Sequence, residues 1–367
     1  MRIALEAQRI FRPNKGGMDE YAIELISHLP ALFPEIDWLV FVRPGPDDKV
    51  LPEFPNLQVI PLSSTNYLTW EQIALPRALK TYRPDLVHAT SNTAPFFCPS
   101  HLVITLHDLI FMDRPPTTAS WYQRMGRYYR KWLVPKVTKK ANGLLTVSHH
   151  SAKQIQSELG REAKVVYHGS APFWNQPPVE TPDPYFLFLG NKDGRKNVTG
   201  VLSAFQQFHA HHPEVTLWIT GLERSWVLQQ LGTASTLKNS IQTPGFVDKI
   251  RLRQLYHNAL GLLYPSFNEG FGLPIIEAFA GNCPVITSSG TGTEEVAGEA
   301  AILIDPQKPA EVAAAMENLY QQPSLRSTCQ VAGKQRAQAF SWQLAAKETA
   351  KMYFQVLGRH PNTQANS

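Results

Sequence analysis

The residues from Leu260 to Glu277 read as strand, glycine turn and helix. The apolar run Leu260-Gly261-Leu262-Leu263-Tyr264 suits a buried strand and Pro265-Ser266 ends it. Pro274 fits the first turn of a helix, where no amide donor is needed. Between them, Asn268-Glu269-Gly270-Phe271-Gly272-Leu273 carries two glycines, which open backbone conformations closed to other residues. The amides of Phe271, Gly272 and Leu273 can then converge at the positive end of a helix, a place suited to a phosphate. Glu269 stands just before this cradle and Glu277 one turn inside the helix. As hydrogen-bond acceptors they can serve a sugar on one side and a ribose on the other. A Gly-x-Gly turn before a helix is also common as plain structure in α/β proteins, so these residues alone leave both readings open.

The same plan recurs along the chain. Arg2-Ile3-Ala4-Leu5 reads as a first strand, and Gly16-Gly17 precede an amphipathic helix over about Met18 to Leu32 with Ile23, Leu25, Ile26 and Leu29 as its buried stripe. Gly16 and Gly17 fit either a second anion-binding helix start or a turn that simply needs glycine. Strands follow at Trp38–Val42 and Leu57–Leu62, then a helix over Thr69–Thr81, and then Leu102-Val103-Ile104-Thr105-Leu106 ending at His107-Asp108. Strand carboxyl ends carry the ligands of open α/β sheets, so His107 is either a site residue or a satisfied structural histidine. Asp108 orients that ring or caps the next segment. Residues Trp121 to Lys140 combine seven Lys and Arg with Trp121, Tyr122, Tyr128, Tyr129 and Trp132 and contain no acid. Such a helix docks on anionic lipid or is a solvated face whose rings are core. No RNA-binding motif accompanies it, so nucleic acid is not expected. Ser148 and Ser151 are candidate caps of a helix reaching Leu159.

From Trp174 to Pro184 the density of proline forbids a sheet interior or a helix, which marks a linker between two lobes. A length of 367 residues, 43% hydrophobic, is ample for two packed domains. The second lobe opens with the strand Tyr185–Leu189 and the basic glycine-rich loop Gly190-Asn191-Lys192-Asp193-Gly194-Arg195-Lys196-Asn197, which again suits phosphate or a solvated turn. Helices are expected over Pro309–Gln321, Leu325–Phe340 and Trp342–Leu357, after a strand at Ile302–Pro306. Three scattered cysteines indicate neither a disulfide framework nor a zinc site, and His149-His150 lack a third ligand, so no metal is expected. No run approaches a membrane span and the N-terminus lacks a signal peptide's apolar core, which together point to a soluble, cytoplasmic protein.

Glu269 and Glu277, with Gly-Phe-Gly-Leu-Pro between them and Gly281-Asn282-Cys283-Pro284-Val285-Ile286 after them, closely resemble the donor site of retaining glycosyltransferases of the two-Rossmann (GT-B) fold. The run is most similar to the large family numbered four, and the resemblance spans nearly the whole chain. It implies an α/β protein with two Rossmann-like, doubly wound parallel-sheet domains facing a central cleft. These would be an acceptor-side domain over 1–173, a linker over 174–184, a nucleotide-sugar domain over 185–341, a helix over 342–358 crossing back, and a tail over 359–367. It implies catalytic roles near the reacting sugar for His107 and Glu269. It places Gly16, Gly17, Lys196, Gly270, Phe271, Gly272, Leu273 and Glu277 on the donor. Many relatives carry Arg where Asn191 stands, so the resemblance does not carry that grip on the diphosphate over, and Lys192 and Arg195 are the candidates to stand in for it. Thr243-Pro244-Gly245-Phe246-Val247 resembles the strand and loop beside the base.

The expected partners are a nucleotide-diphosphate sugar of the GDP or UDP type, a glycan or lipid-linked acceptor, and peripheral contact with an anionic membrane. No cofactor is implied, and the missing Asp-x-Asp motif fits metal-independent chemistry. The function implied is retaining transfer of a hexose, mannose by general likeness, in surface polysaccharide or lipopolysaccharide synthesis. A nucleotide-sugar epimerase or hydrolase of the same fold, and a noncatalytic nucleotide-sugar sensor, are the rival readings.

Overall fold

Near-continuous apolar runs make strands buried on both faces, the condition for a parallel sheet covered by helices. Trp38-Leu39-Val40-Phe41-Val42 is such a run, and all five side chains are buried. The computed structural model describes residues 1–113, 121–170, 183–232 and 236–359, without the side chains of Tyr122 and Gln123. The chain forms two compact units, Met1–Gly169 with Ser341–Ser367, and Ser170–Phe340.

The first unit is built on β1 (Arg2–Glu6), β2 (Asp37–Val42), β3 (Leu57–Pro61), β4 (Leu86–Ala89), β5 (His101–Leu106), β6 (Gly143–Thr146) and β7 (Lys164–Val165). They lie parallel in the order β3-β2-β1-β4-β5-β6-β7, and Ile3 of β1 stands opposite both Trp38 and Leu86. The order therefore reverses between β1 and β4, where an open sheet has a crevice beyond its carboxyl ends. Glu6 ends β1 at that point.

The second unit repeats the plan with β8 (Tyr185–Leu189), β9 (Thr216–Thr220), β10 (Ile241–Gly245), β11 (Gly261–Tyr264), β12 (Val285–Ser288) and β13 (Ile302–Ile304). Their parallel order is β10-β9-β8-β11-β12-β13, so the reversal falls between β8 and β11. Phe186, Phe188, Phe205 and Phe208 anchor its core, each such burial contributing roughly 1.5–3 kcal/mol.

Helices cover the sheets. Gly17–Leu32 buries Tyr21, Leu25, Ile26 and Leu29, a stripe at helical spacing. The last helix, Trp342–Val356, is capped by Ser341 and packs on the first unit, with Phe354 against Phe33 at 5.6 Å between ring centres. Tyr353 of that helix places its hydroxyl 2.6 Å from His88 Nδ1.

Three departures from the sequence reading have physical causes. The helix expected over Thr69–Thr81 runs from Tyr67 to Tyr82 with a wide turn at Trp70–Ala74. Pro76 has no amide to donate and its ring would strike the carbonyl four residues back, so the widened turn relieves it. Helices Arg224–Leu231 and Lys249–Asn258 carry little apolar periodicity, burying only Val227 in one and Leu255 and Tyr256 in the other. Ser148, whose Oγ accepts from Ser151 N at 3.0 Å, caps His149–Leu159, and Ser151 is its first-turn partner. The expected linker and tail lie outside the described residues except for Asp183, Pro184 and Arg359.

Candidate active site

At the reversal point of the second sheet, the loop after β8 is folded by its own side chains. Asn191 Oδ1 accepts from Asp193 N (2.9 Å), and Asp193 Oδ1 from Arg195 N (3.1 Å). Asn197, in the left-handed region at φ 58°, caps Val198–His209 through Gly200 N. These turns aim Lys196 at the end of β11. Its Nζ lies 2.5 Å from Tyr264 Oη and 2.7 Å from Glu269 Oε1. Burial alone would lower the Lys196 ammonium, but Glu269 and Tyr264 outweigh it and hold it above its usual value. A full positive charge is thus kept beside a carboxylate, both side chains less than 15% exposed.

Arg195 does different work. Its guanidinium bonds Asp193 Oδ2 at 3.0 and 2.8 Å and Asn268 O at 3.2 Å, while its own carbonyl accepts from Phe267 N. It fixes the backbone immediately before Glu269. Lys192 is exposed, and the Asn191 side chain is engaged in the turn.

The glycine loop follows. Gly270 and Phe271 are buried, the Phe271 ring meeting Phe340 edge-on at 5.8 Å. Gly272 stands at φ 102° as the N-cap of Leu273–Ala280, a conformation that would strain any side chain. Below the loop, Gly292 N donates to Glu269 O at 3.1 Å, and a Cβ on Gly292 would fall 2.3 Å from Gly270 O. Only glycine allows that approach. Glu277 Oε2 accepts from Tyr256 Oη at 3.1 Å. Burial, with Glu277 adding to it, pushes the Tyr256 hydroxyl well up, so it stays a donor. Phe246, beyond β10, is exposed rather than core.

In the first unit His107 follows β5. Its amide donates to Asn92 Oδ1 at 2.6 Å, and its Nε2 lies 2.8 Å from Thr90 O, which can only accept. The proton therefore sits on Nε2 and Nδ1 carries the lone pair. Burial pushes the ring down to about 4, the Thr90 bond opposing only in part. At neutral pH His107 is an uncharged acceptor of hydrogen bonds. Its ring packs edge-on against Tyr21 at 4.8 Å. Asp108 Oδ1 takes Ile110 N at 3.1 Å, a cap of the following turn.

Gly16 and Gly17 are exposed at the start of Gly17–Leu32. The Gly16 amide donates to Asp19 Oδ2 at 2.7 Å, the Arg12 guanidinium bonds the same buried carboxylate, and Arg9 forms an ion pair with it, Nε lying 3.2 Å from Oδ1. Asp19 thus takes one of the amides that the resemblance assigns to the donor, while the two arginines bring positive charge to the same helix end. Among the described residues, no three His, Cys, Asp or Glu side chains lie close enough together to hold a metal.

Two family models between them match most of the chain, residues 15–170 matching Glycosyltransferase Family 4 and residues 172–336 matching Glycosyl transferases group 1. The chain belongs to glycosyltransferase family 4. Over 96% of its length it is 26% identical to the O-antigen chain mannosyltransferase B of Escherichia coli, 99% of which is covered. Its fold matches sucrose-phosphate synthase from Thermosynechococcus elongatus with a TM-score of 0.78 at 20% identity, covering 97% of this chain and 99% of the other. It also matches Anabaena Alr3699/HepE in complex with UDP and glucose, with a TM-score of 0.71 at 18% identity over 96% and 98% of the two chains. The architecture is the GT-B fold, and the protein is a glycosyltransferase.

Two residues of this family 4 glycosyltransferase escape a reading of its sequence. Tyr264 touches Lys196, and Tyr256 touches Glu277, across 68 and 21 positions of chain. Tyr264 had a signal, since it is the polar last residue of an apolar strand aimed at the site. Tyr256 had none, because the helix that carries it is mostly polar.

Proposed function

We propose that this glycosyltransferase moves a hexose, mannose in our reading, from a nucleotide-diphosphate sugar of the GDP or UDP type onto a glycan or lipid-linked acceptor. The anomeric configuration is retained and the pathway builds surface polysaccharide or lipopolysaccharide. The observation that carries this is the Lys196–Glu269 pair, largely shielded from solvent, beside a helix that Gly272 caps. Mannose and a surface glycan are supported by the likeness to an O-antigen chain mannosyltransferase, and a uridine nucleotide by the likeness to a protein held with UDP and glucose.

In this reading the leaving diphosphate gains negative charge as the anomeric C–O bond breaks, and the Lys196 ammonium with the amides from Gly270 to Leu273 stabilises it without a metal. Glu269, oriented by Lys196, accepts hydrogen bonds from hydroxyls of the donor sugar. Glu277, oriented by Tyr256, accepts from the ribose. His107 offers Nδ1 to a further sugar hydroxyl, and its neutral state removes it as an acid. The acceptor oxygen bonds to the anomeric carbon on the face the phosphate leaves, and its proton passes to the departing phosphate oxygen. This route retains configuration and needs no enzyme nucleophile.

Membrane contact belongs to the same reading. On the helix Trp121–Lys140, Trp121, Met125, Tyr128 and Trp132 are exposed among lysines and arginines, with exposed Phe97 nearby through the Phe96 ring that stacks on Trp132. Exposed aromatic and basic groups together suit an anionic lipid surface. No described helix is long and apolar enough to cross a membrane.

The test is a thermal-shift screen against UDP, GDP, ADP and dTDP hexoses, followed by product analysis by NMR with and without glycan acceptors. Stabilisation by one nucleotide class and an acceptor-dependent product of retained configuration are expected. No stabilisation by any of them, an inverted product, or turnover of the donor indifferent to acceptor would end the proposal.

A further inference from the structure

Glu6, the last residue of β1, is 2% exposed, and Gln8 is 4% exposed. Glu6 Oε1 accepts from Gln8 N at 3.0 Å. Glu6 Oε2 and Gln8 Oε1 are buried and have no hydrogen-bond partner among the described residues. A second carboxylate stands near them with the opposite character. Glu71 collects the hydroxyls of Tyr67 (3.1 Å), Tyr129 (2.5 Å) and Thr93, and the amide of Gln72 (2.9 Å). The donors of this corner are already committed to Glu71, while two adjacent acceptor atoms have none.

Buried acceptors without donors are rare in folded proteins because their desolvation goes uncompensated. Burial lifts the Glu6 carboxyl to about 7, Gln8 N and Arg9 opposing the rise and Glu71 adding to it. A sequence selected for stability alone would not keep this group, and strained electrostatics of this kind collect at binding sites. The position agrees. β1 and β4 flank the point where the strand order reverses, and Thr90, just beyond β4, joins Glu6 to His107. The Thr90 hydroxyl donates to Glu6 O at 2.7 Å and its carbonyl accepts from His107 Nε2 at 2.8 Å.

The corner selects its ligand by charge. Glu71 and Glu6 repel an anion, and Arg9 opposes a cation. A neutral group with several hydroxyl donors remains. We propose that Glu6 Oε2 and Gln8 Oε1 form a saccharide subsite in the first unit, each accepting a hydrogen bond from a hydroxyl of the acceptor sugar. This deepens the glycosyl-transfer reading and rests on it for the word acceptor. The binding itself is measurable without nucleotide.

The experiment is run at pH 8, where the Glu6 carboxyl is ionised and Oε2 is an acceptor, and uses the full chain and two probes, methyl α-mannopyranoside and methyl α-glucopyranoside, followed by saturation-transfer NMR. Wild type is expected to bind at least one. Glu6→Gln and Gln8→Met are each expected to weaken that binding about tenfold, the effect of one hydrogen bond lost. Their affinity for GDP and UDP should match wild type, and Glu6→Gln should unfold at pH 8 no lower than wild type. Absence of binding to both glycosides, equal binding by the variants, or a lower unfolding temperature for Glu6→Gln would overturn the subsite. If glycosides behave as expected while no nucleotide sugar binds, the donor reading fails and the subsite stands.

Discussion

Lys196 and Glu269 are desolvated together, and such a pair is held by mutual attraction that removal of either partner destroys. Lys196→Met should therefore lose stability by about 3–5 kcal/mol, the range for breaking a buried pair. Adding Glu269→Gln to it should restore most of that stability while transfer activity remains absent. Thermal unfolding and kcat/KM read the two effects separately, and recovered activity in the double variant would remove the charge-stabilising role. On the donor's other side, Glu277→Ala should weaken nucleotide binding about tenfold, one hydrogen bond's worth, whereas His107→Ala should chiefly lower kcat. Unchanged nucleotide affinity in Glu277→Ala contradicts the ribose assignment. Glu6 supplies the pH dependence. Its folded carboxyl is raised from 4.5 to about 7 by burial, so the folded state holds the extra proton between those values. Its contribution to stability is full below 4.5 and is lost as pH rises through 7, a change of roughly 3 kcal/mol. Buried His88 and His107, lowered by burial to about 3 and about 4, act oppositely, losing stability as pH falls from 6.5. Glu6→Gln should thus unfold higher than wild type at pH 8, with the advantage gone near pH 4.5. An advantage independent of pH would show that Glu6 stays ionised.

Elements explain which residues were readable in advance. Glu269, Gly270, Gly272 and Glu277 belong to one strand–loop–helix, so their spacing alone fixes their neighbourhood, and the structure finds them around a single turn. The partners that orient them come from elsewhere in the chain. Tyr256 sits on a helix with two buried side chains, and the Gly292 contact below the loop comes from the start of the next helix, so no local pattern announces either. Asp19 was hidden differently, since its place in a first helical turn looks ordinary until Arg9 and Arg12 fold back onto it. The helix Trp121–Lys140 shows the same limit in reverse. Its composition leaves lipid docking and core packing open, and the fold divides it, burying Leu133, Val134 and Val137 toward its C-terminal end while Trp121, Tyr128 and Trp132 stay outside. Replacing Trp121 and Trp132 by serine should lower cosedimentation with vesicles containing phosphatidylglycerol several-fold and leave the unfolding temperature unchanged. Equal sedimentation with those phosphatidylglycerol vesicles before and after the change would assign the exposed rings to another purpose.

At the level of the whole molecule the chain does not end where its second unit ends. After Phe340 it returns to the first, and Trp342–Val356 buries Trp342, Met352, Tyr353 and Phe354 there. The contacts are specific as well as apolar. Tyr353 Oη meets His88 Nδ1, His88 Nε2 lies 2.7 Å from Thr105 Oγ1, and the Tyr21 hydroxyl lies 2.9 Å from the same oxygen. Trp342 stands 5.4 Å from His168, whose ring stacks on Tyr21 at 5.0 Å. Removing residues 341–367 would uncover this whole stripe and leave His88 Nδ1 without the Tyr353 hydroxyl. Four large side chains at roughly 1.5–3 kcal/mol each rival the 5–15 kcal/mol net stability of an ordinary domain. The second unit, Ser170–Phe340, has its own core cluster around Phe186, Phe188, Phe205 and Phe208, built from residues of that unit. A chain stopped at Phe340 should therefore lose the cooperative unfolding of its first unit and become open to proteolysis before Gly169. It should still bind GDP or UDP within a few-fold of the intact protein, as measured by calorimetry, because Lys196, Glu269 and Glu277 all lie in the unit that survives. One unfolding transition at the original temperature would show that the last helix is dispensable to the fold, and loss of nucleotide binding with the second unit still folded would show that the donor depends on residues of the first.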